Sequence, residues 1–132
     1  MLINSELLDS ISEQARNNDR RRMNFNFHTS PEAKSQRLLN VLEMDSVIPI
    51  HRHKNTAETY ILLRGKIRVE FYNENGDITE LIDLDPITGH YGIDIPQGQW
   101  HSLKVLAPGS VIFEVKDGPY TPITAEDILS KD

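Results

Sequence analysis

The sequence predicts a single all-β domain, a sandwich or barrel, preceded by one short helix. The chain has 132 residues, which is the length of one ordinary domain. From Gln36 onward, short segments of strand-like pattern recur at roughly 8–12-residue intervals. Glycine, proline and asparagine stand at the joints between these segments, where turns need them.

The helix is predicted over residues 5–17, because Leu7, Leu8, Ile11 and Ala15 fall on one stripe of a helical wheel. A helix of this length is not stable alone. We therefore expect it to pack against the rest of the domain or against a second subunit.

The strands are predicted from alternation of apolar and polar residues. Ile67, Val69 and Phe71 alternate with polar neighbours, which is the period of a half-buried strand. The next residues, 73–77, contain Asn75-Gly76 and predict a hairpin turn. The full set of predicted strands covers about 23–28, 36–44, 47–53, 57–64, 66–73, 78–84, 89–95, 101–106 and 109–116.

A short C-terminal helix is predicted from Thr124 through Leu129, because Thr124 to Asp127 has the spacing of a capping box. The chain then divides into a helix with an arginine-rich linker (1–22), a β domain (23–123) and a C-terminal helix and tail (124–132).

Composition excludes several classes of function. With 14 basic and 20 acidic residues, the formal net charge of −6 argues against nucleic acid as the main partner. We interpret the arginines at 16, 20, 21 and 22 as a solvated helix end and loop. The chain has no cysteine, which excludes disulfides, thiolate catalysis and cysteine-ligated metals. No apolar run reaches the roughly 20 residues of a membrane span, and no secretory signal is visible, so the expected location is the cytoplasm.

Histidine and glutamate at a characteristic spacing predict a metal site. His51 and His53 are two apart, so on a strand both rings point to one face. Glu58 follows after a short turn, and His101 comes from a later strand. Three imidazole nitrogens and one carboxylate suit a divalent first-row transition metal. The alternative, four ordinary surface side chains, requires this spacing to arise by chance.

These residues carry a resemblance to a known superfamily. The segment His51-x-His53-x4-Glu58-x6-Gly65 resembles the first cupin motif, and Pro96-x-Gly98-x2-His101 resembles the second. The resemblance implies a double-stranded β-helix, or jelly-roll barrel, with His51, His53, Glu58 and His101 as metal ligands. Segments that flank the motifs, among them Asn26-Phe27-His28 and Lys116-x-Gly118-Pro119-Tyr120, make the layout similar to the WbuC family of cupin metalloproteins. That family tends to be encoded among genes for bacterial surface-polysaccharide biosynthesis.

Three further residues are candidates for substrate chemistry. Tyr60 follows Glu58 in phase and either hydrogen-bonds a substrate hydroxyl or packs in the barrel. Arg37 is either a clamp for a carboxylate or phosphate, or a charge that protects an edge strand. His28 is either an acid–base group near the metal or a surface histidine.

The predicted function is a metal-dependent enzyme that acts on a small oxygenated substrate such as a sugar, a sugar nucleotide, or a hydroxy or keto acid. Its chemistry would be isomerisation or epimerisation, or O₂-dependent oxidation. The metal is Fe, Mn, Ni, Co or Zn, and four protein ligands would close a tetrahedral zinc site. The alternatives are a non-catalytic binding module and a purely structural metal site. A homodimer is expected, because the helix and short edge strands need cover.

Overall fold

The computed structural model describes residues 1–129, and they form two five-stranded antiparallel sheets packed face to face. The strands are β1 (Arg22–Asn26), β2 (Ser35–Leu42), β3 (Ile50–His51), β4 (Glu58–Arg64), β5 (Ile67–Tyr72), β6 (Ile78–Leu84), β7 (Gly92–Ile95), β8 (Trp100–Val105), β9 (Ser110–Asp117) and β10 (Ile128–Leu129). Sheet 1 has the order β1-β2-β9-β4-β7, and sheet 2 has the order β10-β3-β8-β5-β6. This architecture is the predicted jelly roll.

The N-terminal helix α1 (Ser5–Arg16) begins where Asn4 accepts a hydrogen bond from the Leu7 backbone N–H at 3.0 Å. Its buried stripe, which includes Leu8 and Ile11, packs on the outer face of sheet 1. The helix is therefore covered by its own domain, as one of the two predicted arrangements requires. In the part of the chain that the structure describes, no helix has the length and apolar character needed to cross a membrane.

The space between the sheets changes from apolar to polar along the strands. At one end the inward side chains form the main hydrophobic core, which includes Leu62, Val105 and Ile112. At the other end the same strands carry inward polar residues: β4 begins at Glu58, and β8 has His101 as its second residue. A strand alternates its side chains between two faces, so one face can serve packing at one end and binding at the other.

The segment before β4 is less regular than predicted. The strand expected over 47–53 is present only as Ile50–His51, which pairs with β8 through His51 and His101. His53 lies beyond the strand in an irregular segment. The two rings nevertheless lie on the same side, with centroids 5.3 Å apart.

The predicted C-terminal helix is wrong in extent. Only one 3-10 turn forms at Ala125–Asp127, and the Thr124 side chain caps no backbone N–H there. Ile128–Leu129 then pairs with β3, because a strand edge was free to accept it. Residues 130–132 of the predicted tail lie outside the described residues.

Candidate metal centre

Four side chains converge at the polar end of the barrel. One ligand atom from each of His51, His53, Glu58 and His101 lies within 4.8 Å of all the others. His51 and His101 face each other across the β3–β8 pair, with ring centroids 4.3 Å apart. Glu58 enters from sheet 1, and its Oε1 lies 2.5 Å from His53 Nε2. Residues far apart in the chain thus meet because two strands of sheet 2 face one strand of sheet 1.

The donor set fits a first-row divalent cation. Bonds of about 2.1 Å to a central ion place opposite ligand atoms roughly 4.2 Å apart, so the observed spread of 4.8 Å needs only a small contraction. His101 Nε2 is buried and has no hydrogen-bond partner among residues 1–129. A buried nitrogen without a partner is costly, and a metal ion would satisfy it.

Backbone carbonyls fix two of the imidazole rings. His51 Nδ1 lies 2.9 Å from the Pro49 carbonyl oxygen, and His101 Nδ1 lies 2.8 Å from that of Gln99. When each Nδ1–H donates to its carbonyl, the lone pair sits on Nε2, which points into the cluster. Both histidines are therefore oriented as ligands before any ion binds.

The charge states suit metal binding. Burial, with a smaller contribution from His101, lowers the pKa of His51 to about 4, so this ring is neutral at pH 7. Burial also lowers the pKa of His101. Burial alone would raise the pKa of Glu58, but the hydrogen bond and charge of His53 lower it to about 2. The cluster thus offers neutral imidazoles at His51 and His101 and an ionised carboxylate at Glu58, the states that coordinate a metal.

A cavity of about 360 Å³ opens beside the cluster, within the usual size range of small-molecule sites. Tyr60 lines it, and its ring centroid lies 6.5 Å from that of His101. Burial and the Glu58 charge raise the pKa of Tyr60 well above its usual value, so the phenol keeps its proton. Of the three candidates for substrate chemistry, Tyr60 is the one that the structure brings to the cluster.

Arg37 and His28 lie elsewhere. Arg37 is exposed and in phase with Leu39 and Val41, which belong to the cluster under α1, so it stands on the outer face of sheet 1. His28 lines a separate cavity, and its Nδ1 lies 3.1 Å from the Arg37 backbone N and O atoms. Neither side chain lines the cavity beside the four candidate ligands. The structure therefore does not place Arg37 as a substrate clamp at the metal cluster, nor His28 as an acid–base group beside it.

Other polar residues line the cavity and were not predicted. They are Arg22, Asn40, Glu114 and Lys116, all on the inner face of sheet 1. Asn40 Nδ2 donates to Glu114 Oε1 at 2.9 Å. Burial, followed by the charge of Glu58, raises the pKa of Glu114 to about 7. One feature of the sequence could have indicated this polar wall: Glu114 and Lys116 are two charged residues at a spacing of two in a strand whose neighbouring residues are mostly apolar.

Comparisons with known sequences match part of the chain to a protein family. A family model described as a domain of unknown function, DUF6016, matches residues 3–84, a span that includes the first three candidate ligands but not His101. No curated protein sequence is significantly similar to the chain.

Solved structures resemble the whole barrel at low identity. BH2720 from Bacillus halodurans has a TM-score of 0.63 at 16% identity, over 92% of this chain and 83% of that one. The cupin domain of Cnp3 from Schizosaccharomyces pombe has a TM-score of 0.58 at 12% identity, over 73% of this chain and 64% of that one. CapF from Staphylococcus aureus, a capsular polysaccharide assembling protein, has a TM-score of 0.58 at 20% identity, over 75% of this chain but only 27% of that one. The fold is that of the cupins.

Proposed function

The chain belongs to the DUF6016 family, and we propose that it is a metal-dependent enzyme of cupin fold that acts on a small oxygenated substrate. One observation carries the proposal: four ligand atoms lie within 4.8 Å beside a cavity of about 360 Å³. A purely structural metal site needs no such cavity, so the open space favours a site that takes a substrate.

The residues of the cluster have separable tasks. His51, His53, Glu58 and His101 would hold the ion. Bound there, the metal would supply Lewis-acid polarisation of a substrate oxygen. Tyr60 keeps its proton and can donate a hydrogen bond to a bound oxygen. Tyr120 and Ile123 line the same cavity from the C-terminal segment.

The biological setting is part of the proposal. The residues around the two motifs are similar to the WbuC family, and we propose the same kind of role, in bacterial surface-polysaccharide biosynthesis. The likeness to a protein that assembles capsular polysaccharide supports this setting, although the two chains share 20% identity. The substrate class is then a sugar, a sugar nucleotide, or a hydroxy or keto acid.

Metal analysis of the purified protein tests the proposal. We expect the wild-type protein, purified without oxygen, to contain close to one transition metal per chain, and His51→Ala/His53→Ala to contain almost none. His28→Ala is the matched control, because it removes a histidine that does not line the cavity. Full metal content in the double variant would contradict the ligand assignment.

Turnover then separates an enzyme from a binding module. Metal-loaded protein is screened with sugar nucleotides and small hydroxy and keto acids, and any reaction is repeated with Tyr60→Phe. We expect this variant to keep its metal and to lose activity about tenfold or more, since one hydrogen-bond donor to the reacting oxygen is removed. Binding without turnover for every compound would favour the non-catalytic module.

A further inference from the structure

Two basic side chains line the candidate substrate cavity close to acidic groups but without a salt bridge to them. Arg22 is half-buried, and Lys116 lies on the strand that carries the cavity wall. Within residues 1–129, neither side chain forms an ion pair or a hydrogen bond. The Lys116 ammonium lies 6.0 Å from the centre of the Tyr120 ring. The neighbouring Arg21, in contrast, forms a salt bridge with Asp45 at 2.9 Å.

The register places the two cations on either side of the cavity wall. Lys116 pairs with Glu58 across β4 and β9, so it stands next to the candidate metal ligands. Arg22 comes from β1, which is three strands from β4 in sheet 1. Strands are about 4.8 Å apart, so the backbones of Arg22 and Glu58 are separated by roughly 14 Å across the sheet. Arg22 is level with Leu42 of β2 and Glu58 is level with Gln36, so six residues, or roughly 20 Å, also separate them along the strands. The side chains and a molecule the size of one sugar ring fit into that distance.

The groups between the two cations suit hydroxyls. Asn40 and Glu114 are hydrogen-bonded to each other and lie on the strands between Arg22 and Glu58. An amide and a carboxyl offer both donors and acceptors, which hydroxyl groups can use. The wall therefore runs from a guanidinium, through a polar pair, to the metal cluster.

The charge balance favours an anion. Glu58 and Glu114 are the two acids that line the cavity, and Arg22 and Lys116 are the two bases. Since the pKa of Glu114 is raised to about 7, the four groups together are neutral to slightly positive at pH 7. A divalent ion on the cluster would leave the cavity net positive. A guanidinium is the side chain best shaped to bind a carboxylate or a phosphate through paired hydrogen bonds.

We infer that the cavity binds a hydroxylated oxyanion of about the size of a monosaccharide, with its acidic group held by Arg22 and with the Lys116 charge adding to the attraction from beside the metal cluster. This inference rests on the proposed function and narrows its substrate class from oxygenated molecules in general to anionic ones. The oxyanion is a carboxylate or a phosphate, since both present the same geometry to an arginine.

Three matched probes on one sugar test the inference in metal-loaded protein: D-glucuronate, D-glucose 6-phosphate and D-glucose. We expect calorimetry to show that the dissociation constant of at least one of the two anions is at least ten times lower than that of glucose. The stronger of the two identifies the oxyanion. Equal binding of all three sugars, or binding of neither anion, overturns the inference.

Charge-removing variants locate the anion. Arg22→Gln should weaken binding of the preferred anion about tenfold, since it removes a charged hydrogen bond, and leave glucose unchanged. Lys116→Gln should weaken the anion several-fold, since it removes a nearby positive charge, and also leave glucose unchanged. Arg37→Gln is the control, because Arg37 is exposed on the outer face of sheet 1 and does not line the cavity. Equal effects of all three variants, or no effect, overturn the assignment of these side chains.

Metal content is measured in every preparation. A wild-type protein that holds no metal after loading refutes the proposed function. A wild-type protein that holds its metal but does not prefer an anion refutes only the inference about Arg22 and Lys116. The comparison of sugars needs no variant, so the inference is testable even if Arg22→Gln does not fold.

Discussion

Gly65 closes the first histidine motif, and replacing it should destabilise the barrel far more than replacing a glycine of similar backbone conformation. Its φ angle is +93°, and a Cβ atom there would lie 2.6 Å from the Ser110 Cα atom. Gly89 has a φ angle of +82° and no atom within 4 Å of an added Cβ. The pair therefore separates the cost of a left-handed backbone from the cost of a steric clash.

The magnitudes follow from these two environments. For Gly89→Ala, a left-handed residue costs about 1–2 kcal/mol, and the lower entropy of the unfolded chain offsets part of it, so we expect a net loss of about 1 kcal/mol. Gly65→Ala adds a clash with the backbone of Ser110, which is fully buried. It also disturbs the hydrogen bond from the Lys66 N–H to Ser110 Oγ. Overpacking costs about 1–3 kcal/mol more, for a total of about 2–4 kcal/mol.

Thermal unfolding followed by circular dichroism measures the difference. At about 4 °C per kcal/mol for a domain of this size, Tm should fall by about 4 °C for Gly89→Ala and by about 8–16 °C for Gly65→Ala. Urea unfolding gives the same comparison as free energies. Similar losses in the two variants would refute the steric argument and leave backbone strain as the only role of Gly65.

Two further predictions concern pH and the C-terminal segment. The pKa of His51 in the folded chain is about 4, against an ordinary value of 6.5, so the unfolded chain binds more protons between these values. The free energy of unfolding of the metal-free protein should therefore fall by about 2 kcal/mol as pH falls from 7 to 5. In urea unfolding, His51→Asn should make this free energy depend less on pH. The same pH dependence in the variant and the wild type would count against a buried neutral ring at His51. Asp127 lies 3.2 Å from the Arg52 guanidinium and 3.5 Å from the Lys54 ammonium. Arg52 and Lys54 stand on either side of His53, so these ion pairs tie the C-terminal segment to the chain beside a candidate ligand. Asp127→Asn should release bound metal to a chelator several-fold faster than wild type, whereas an unchanged rate would mean that this segment does not control access.

The four candidate ligands were predictable because their spacing is a property of the chain alone. Two histidines at a spacing of two share a face on a strand or a nearly extended segment, so the prediction survives although β3 is only two residues long. His101 follows a proline–glycine turn that fixes where β8 begins. The predicted homodimer, the cytoplasmic location and the division of the chain into three parts stay predictions.

The position of Arg37 was not predictable from alternation. Both faces of β2 are covered, one by the barrel interior and one by α1, so apolar residues occur in both phases. A sequence pattern then identifies two alternating sets of residues without showing which set faces inward. Only the pairing with β9 settles the phase: Asn40 and Leu42 face inward, whereas Arg37 and Leu39 face α1. The same ambiguity hid Glu114, whose strand neighbours are apolar on both sides.

The division of each strand into an apolar end and a polar end bears on how the site can change. Leu62 and Leu103 belong to the buried core, and they lie four and two residues along their strands from Glu58 and His101. Packing that fixes the strand register therefore fixes the ligand positions without using the ligands themselves. Because the core does not depend on the cavity wall, substitutions at Arg22 should alter ligand choice at little cost in stability. A barrel of this kind can keep its metal cluster and its fold while the polar wall opposite the cluster is exchanged for a different substrate.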